Sequence, residues 1–203
     1  MVAGVVLALI ERHWLDATLI AGIILVMFIP AALGHRLRIQ IPSEFELMAL
    51  VFLFASLFLG EIRGYYTRFW WWDLALHMTS GLLLGIFGFL LVYVLNEDDR
   101  VDFHMLPRFM ALFAFMFAVA CGALWEIFEF TMDKVAGTNM QKPMLGDPSG
   151  LTDTMWDLIV DAFGAGVISL AGWWYMKEGR QSLLDLLIGR FIQQNPHLFN
   201  RKS

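Results

Sequence analysis

The chain has 203 residues, of which 59% are hydrophobic and only 16% charged, and its mean hydropathy is +0.64. So little charge is foreign to a soluble domain of this length, and apolar runs of about 20 residues point to bilayer-spanning helices. A formal charge of −5 with scattered basic residues offers nucleic acid no basic stripe, and the single cysteine, Cys121, excludes an intrachain disulfide and a cysteine-rich metal site.

The opening stretch MVAGVVLALI has a greasy core like that of a signal peptide, but it lacks a basic n-region. Glu11-Arg12-His13 follows it with no small-x-small cleavage site. Residues 1–14 are therefore expected to form an interfacial or partly inserted segment. Five spans follow, at residues 15–33, 45–60, 73–95, 107–131 and 154–176. Pro30 is expected to kink the end of the first, and Pro107 suits the first turn of the fourth. Between the last two spans, KVAGTNMQKPMLGDPSGLT (134–152) reads as a lid or a loosely ordered polar surface. In the tail, 177–203, Leu183, Leu184, Leu187, Ile188, Phe191 and Ile192 recur at helical spacing beside Arg180, Asp185 and Arg190. That pattern predicts an amphipathic helix on the membrane surface. The expected architecture is all-α: a polytopic transmembrane helix bundle over 15–176, about five spans, plus a C-terminal amphipathic interfacial helix.

Counting Lys and Arg sets the orientation. With five spans, Arg12, Arg63, Arg68, Lys134 and Lys142 share one side. Arg36, Arg38, Arg100, Arg108, Lys177, Arg180, Arg190, Arg201 and Lys202 share the other. The richer side is expected to be cytoplasmic, which places the C-terminus inside and the 132–153 loop outside.

Polar residues then converge on one level. Trp70, Trp71 and Trp72 suit an interfacial aromatic belt, with Tyr65 and Tyr66 as further anchors, and Asp73 and His77 follow at i and i+4 on one helix face. Gly81 and Gly85 continue that face and allow a second helix to approach closely. The fourth span ends WEIFEFTMD, with Glu126, Glu129 and Asp133 on a common face that Gly122 extends inward. The fifth begins DTMWDLIVDAFGAG, with Asp153, Asp157 and Asp161 at i, i+4 and i+8. At about 1.5 Å per residue, Asp161 lies roughly 12 Å inside Asp153 and His77 roughly 6 Å inside Asp73, so the depths overlap.

A charged side chain at the bilayer centre costs roughly 2.5–3.5 kcal/mol on insertion scales, so such groups face partners or a cavity. Several carboxylates at one low-dielectric level share protons or bind a cation. No Lys or Arg lies in the outer halves of these three spans. One imidazole among carboxylates is an oxygen-rich ligand set that favours Zn, Mn, Fe or Mg over copper. The candidate ligands are His77, Glu126, Glu129, Asp157, Asp161 and Asp73, with Glu126 and Asp161 as candidate catalytic groups. The blander readings differ by residue. Asp73 and Asp153 each fit an N-terminal cap, Asp133 a solvated edge residue, and Thr79, Ser80 and Thr154 bonds to neighbouring backbone. His35 and His104 read as loop residues on the cytoplasmic side, while His13 stands on the outer side.

Three motifs, WWDLALHMTSG (71–81), ALWEIFEF (123–130) and DTMWDLIVDAFGA (153–165), resemble the YjdF-like family of bacterial membrane proteins and, more loosely, VanZ-like proteins. The resemblance covers roughly residues 15–176. It implies a bacterial inner-membrane protein and a site built from Asp73, His77, Gly81, Glu126, Glu129, Asp157, Asp161 and Gly164, without implying a particular chemistry. Three functions satisfy the pattern. One is a divalent-metal site open to the periplasm that serves metal-assisted hydrolysis or transfer on a lipid-like substrate. The second is proton- or cation-coupled transport. The third is a structural or accessory role beside a partner in a membrane complex.

Overall fold

The computed structural model describes residues 1–10, 12, 14–37, 40–97, 105–178 and 183–196. Expectations that fall on Glu11, His13, Arg38, Arg100, His104, Arg180, Arg201 and Lys202 lie outside them. The described elements are α1 (Val2–Ile10), α2 (Trp14–Met27), α3 (Ile29–Leu37), α4 (Ser43–Leu53), α5 (Tyr65–Arg68), α6 (Trp72–Glu97), α7 (Pro107–Ala136), α8 (Leu151–Glu178) and α9 (Leu183–Gln194). A π-helix, Phe54–Ile62, continues α4 without a break. No strand occurs among the described residues, and the fold is an all-α helical bundle.

Four described helices are long and apolar enough to cross a membrane: Ser43–Ile62, Trp72–Tyr93, Pro107–Ala136 and Leu151–Trp174. The expected first span, 15–33, is instead two helices, and its apolar helical stretch is only Ala17–Met27. The break has a local cause. Pro30 has no N–H to offer the carbonyl four residues back, so α2 cannot run through it. The chain tightens at Phe28, whose N–H donates to Leu25 O at 3.1 Å, and helical bonding resumes from Ala32 N–H to Phe28 O at 3.0 Å.

The chain forms two compact units. One comprises Met1–Asp73 together with Gly189–Pro196. In it α1 packs on α2, and the ring of Tyr66 lies against Gly60. Tyr65 meets Trp72 edge-on at 4.9 Å, while Phe69 and Trp71 lie 5.8 Å apart. Trp70 beside them is 77% exposed, as an interfacial aromatic should be. The end of α9 is tied into this unit. Arg190 pairs with Glu44, and the buried Asn195 donates from Nδ2 to Gln40 O at 2.7 Å while accepting Gln40 N–H at 2.6 Å. The apolar face expected from Leu183, Leu184, Leu187 and Ile188 lies outside the described side chains.

The other unit, Leu74–Ile188, holds nearly all of α6 with α7 and α8. Leu106 is extended at φ −67° and ψ 147° ahead of Pro107, the conformation a following proline imposes, and Pro107 opens α7. Gly137 ends α7 in the left-handed region at φ 66°, where a Cβ would be strained. α7 thus runs five residues beyond the expected 131 and α8 begins three before 154, leaving a connection of residues 137–150. At the α6 C-terminal end the helices meet through small residues and rings. Phe89 fills the space opposite Gly172, and Val92, Ala114, Ala118 and Ala165 are buried in the same unit.

Candidate functional site

At the other end of the same unit the buried side chains are polar. His77 enters from α6, Glu126 and Glu129 from α7, and Asp153, Asp157 and Asp161 from α8. Each is less than a tenth exposed, and Asp157 is fully buried. Helical periodicity aims each set inward, but glycine decides how near they come. A Cβ on Gly81 would collide with the backbone carbonyl of Asp161, and one on Gly122 with its carboxylate. Without those two hydrogens for side chains, neither α6 nor α7 could close on α8 at this level.

The geometry separates the acids into different roles. His77 Nδ1 lies 3.1 Å from Asp161 Oδ2. The Ser80 hydroxyl lies 2.6 Å from Asp161 Oδ1 and 2.8 Å from His77 O, sharing its hydrogen between them. An ionised carboxylate only accepts, so Nδ1 donates to Asp161, and in the neutral imidazole it is Nε2 that carries the lone pair. Nε2 looks toward Glu126 Oε1 at 3.6 Å and Asp157 Oδ2 at 3.9 Å. Ligand atoms of His77, Glu126 and Asp157 all lie within 4.8 Å of one another. Asp161 therefore stands behind the imidazole, and Glu126 and Asp157 stand before it.

The remaining acids have contacts of their own. Glu129 Oε1 accepts the Trp125 indole N–H at 2.9 Å. Asp73 is half-buried in the first turn of α6, one turn before His77. Asp153, for which a capping role at its own helix is the plain reading, accepts Lys142 N–H at 2.6 Å from the preceding loop. The start of α8 is capped instead by Ser149, which takes Leu151 N–H at 3.2 Å, and by Asp147, which takes Thr152 N–H at 3.0 Å. The Ser149 hydroxyl and N–H, then the Thr152 hydroxyl and N–H, hold the Asp147 carboxyl well below the usual carboxylate range.

The 137–150 connection is correspondingly fastened, where a loose surface was one expectation. Asp133 accepts the Thr138 hydroxyl at 2.6 Å, Met140 N–H at 2.7 Å and Gln141 N–H at 2.9 Å. Gln141 Nε2 donates to Thr154 at 2.8 Å, drawing the segment onto the first turn of α8. Sequence reasoning had no partner for Ser80 beyond backbone and none for Asp133. The available signal was spacing: Ser80 follows His77 by three residues and shares its face.

The fold and this cluster define a polytopic α-helical membrane protein with a buried carboxylate–imidazole centre. The chain belongs to the family described as predicted membrane protein (DUF2238), whose family model matches residues 1–178. It is similar to an uncharacterized protein of Thermotoga maritima, 32% identical over 125 residues, which span 62% of this chain and 59% of that relative's length. No solved structure matches the chain.

Proposed function

We propose that this protein binds a divalent cation between His77 Nε2, Glu126 and Asp157, with Asp161 and Ser80 orienting the imidazole. The observation that carries the reading is the division of the histidine's two nitrogens. One is held by a carboxylate at hydrogen-bond distance, and the other faces two carboxylates at 3.6 and 3.9 Å. Those latter separations are too long for hydrogen bonds. They sit close to the spacing of about 3.0–3.4 Å that two ligands have when each lies about 2.1 Å from a common ion. A carboxylate behind a ligating histidine is the usual means of setting its tautomer and ring plane. Asp161 thus moves from the ligand set read from spacing to the group that positions a ligand, and Glu129, whose carboxylate accepts the Trp125 indole N–H, leaves that set. One nitrogen with two carboxylates suits Zn, Mn, Fe or Mg.

A cation held there would supply Lewis-acid polarisation or an activated water, fitting hydrolysis or group transfer on a lipid-like substrate that enters from the α8 N-terminal end. Glu126, beside the imidazole, is the residue to accept a proton. Passage of an ion through the unit is opposed by the buried apolar side chains of Ile86, Phe89, Val92, Ala114 and Ala165. The same reading puts the chain in a bacterial inner membrane with the C-terminus cytoplasmic, following the basic residue count, and is compatible with the YjdF-like resemblance.

Metal analysis of protein purified in detergent and offered Zn, Mn, Fe or Mg tests the centre. The wild type is expected to retain near-stoichiometric metal, and His77→Ala and Asp157→Asn to lose it while keeping a monodisperse profile. Negligible metal in the wild type would overturn the reading. Loss of assembly in both variants would point to acids that lock helices together, and ion flux into proteoliposomes would restore transport.

A further inference from the structure

A second feature of the α6–α8 unit lies at the end away from the acids. There α7 and α8 part to leave a groove of about 460 Å³, lined by Arg108, Leu112, Phe115, Gly166, Ser169 and Trp173 among others. Arg108 is the second residue of α7, and Trp173 stands near the end of α8. Phe115 and Gly166 are each seven residues further in, so the groove runs roughly 10 Å from the basic end toward mid-membrane.

Its walls are apolar with two exceptions. Ser169 is 5% exposed, and its hydroxyl has no hydrogen-bond partner among the described residues. A serine inside a helix commonly returns its proton to the carbonyl one turn back, and a buried hydroxyl left without an acceptor costs about 1–3 kcal/mol. The second exception is Arg108 at the mouth, exposed and laid over the Phe109 ring at 5.2 Å. At the same end Lys177 lies over the Trp173 ring at 5.3 Å. Cationic mouth, one hydroxyl about a turn inside, then hydrocarbon is the polarity sequence of a phospholipid read from head to tail.

We propose that this groove is a binding site for one anionic phospholipid of the surrounding leaflet. Its phosphate sits at Arg108, an ester carbonyl accepts the Ser169 hydroxyl proton, and one acyl chain lies along Leu112, Phe115 and Gly166. Ser169 is four residues, about 6 Å, inside Trp173. That matches the offset between a headgroup at the aromatic level and the ester linkage below it. Gly166 leaves the floor open: a Cβ there would reach only Phe115, at 3.8 Å. The site is independent of the metal reading, since none of its residues belongs to that cluster.

The test measures lipid retention by native mass spectrometry and the thermal shift of detergent-solubilised full-length protein. The probes are dioleoyl phosphatidylglycerol, dioleoyl phosphatidylcholine and glycerol 3-phosphate. Phosphatidylglycerol is expected to remain bound and to raise Tm more than phosphatidylcholine, with no shift from glycerol 3-phosphate. Arg108→Ala should weaken phosphatidylglycerol roughly fivefold and remove its preference, the worth of one basic side chain against an anionic lipid. Ser169→Ala should weaken both lipids while keeping the preference. Gly166→Leu, or Leu112→Trp if that variant misfolds by far-UV circular dichroism, should abolish retention. Equal shifts from both lipids, a shift from glycerol 3-phosphate alone, or wild-type retention in the groove-filling variant would each overturn the proposal.

Discussion

The two ends of the α6–α8 unit use one packing device for opposite purposes. At the acidic end Gly81 and Gly122 make room for Asp161, its carbonyl against α6 and its carboxylate against α7. At the other end Gly172 makes room for the ring of Phe89, and Gly88 for that of Phe117. In the first case the space admits a polar group whose oxygens meet His77 and Ser80; in the second it admits hydrocarbon that needs no partner. The lesson is that close helix approach does not itself distinguish a site from a core. What distinguishes them is whether the group that fills the gap must be answered by hydrogen bonds.

That contrast can be broken from either end. The largest effect is expected for Phe89→Ala, which empties a side chain that is 1% exposed. Thermal or denaturant unfolding in detergent should show a loss of about 3–5 kcal/mol. Whatever protein remains folded should bind metal like the wild type. If metal falls in step with packing, the two ends are one cooperative object and the contrast fails. Gly122→Ala comes next. Its methyl group meets the Asp161 carboxylate, so overpacking should cost about 1–3 kcal/mol and also reduce metal content. Gly172→Ala, pressing on Phe89 instead, should cost stability while leaving metal untouched.

Asp161→Asn sharpens the division of roles. The amide can still meet Ser80 and His77, so the fold should survive in a size-exclusion profile, while metal affinity drops about 10–100-fold. A loss as complete as that of Asp157→Asn would put Asp161 back among the ligands. The smallest effect concerns the loop. Asp147 is held below its ordinary range by Ser149 and Thr152, so its contribution is present above the unfolded carboxyl pKa of about 3.9 and is lost as pH falls through the folded value. Amide exchange at Thr152 should therefore accelerate in strong acid relative to neighbouring α8 amides, and Asp147→Asn should remove that pH dependence.

Much of this was readable in the chain. Hydropathy located Ser43–Ile62, Trp72–Tyr93, Pro107–Ala136 and Leu151–Trp174, because backbone groups in lipid must be satisfied within the helix itself. Pro30 was readable as a disturbance, but its consequence, two helices in place of one span, depended on the turn that Phe28 could form. By sequence, Asp147 and Ser149 merely belong to the polar stretch 134–152, while Asp153 fits the cap. The assignment reversed because the tight connection carries Asp147 back over the first turn of α8 and brings Lys142 N–H to Asp153.

Sequence alone determined which helix faces turn inward and that His77, Glu126, Asp157 and Asp161 would lie at similar depth. Both follow from the fixed rise and 3.6-residue period of an α-helix, which need no knowledge of neighbours. Tertiary structure decided which acid stands behind the imidazole and which stand before it, and that Glu129 turns to Trp125. Those outcomes rest on axial register and rotation between helices. Contacts far apart in the chain, such as Gly81 and Gly122 against Asp161, set both quantities, and no local periodicity contains them.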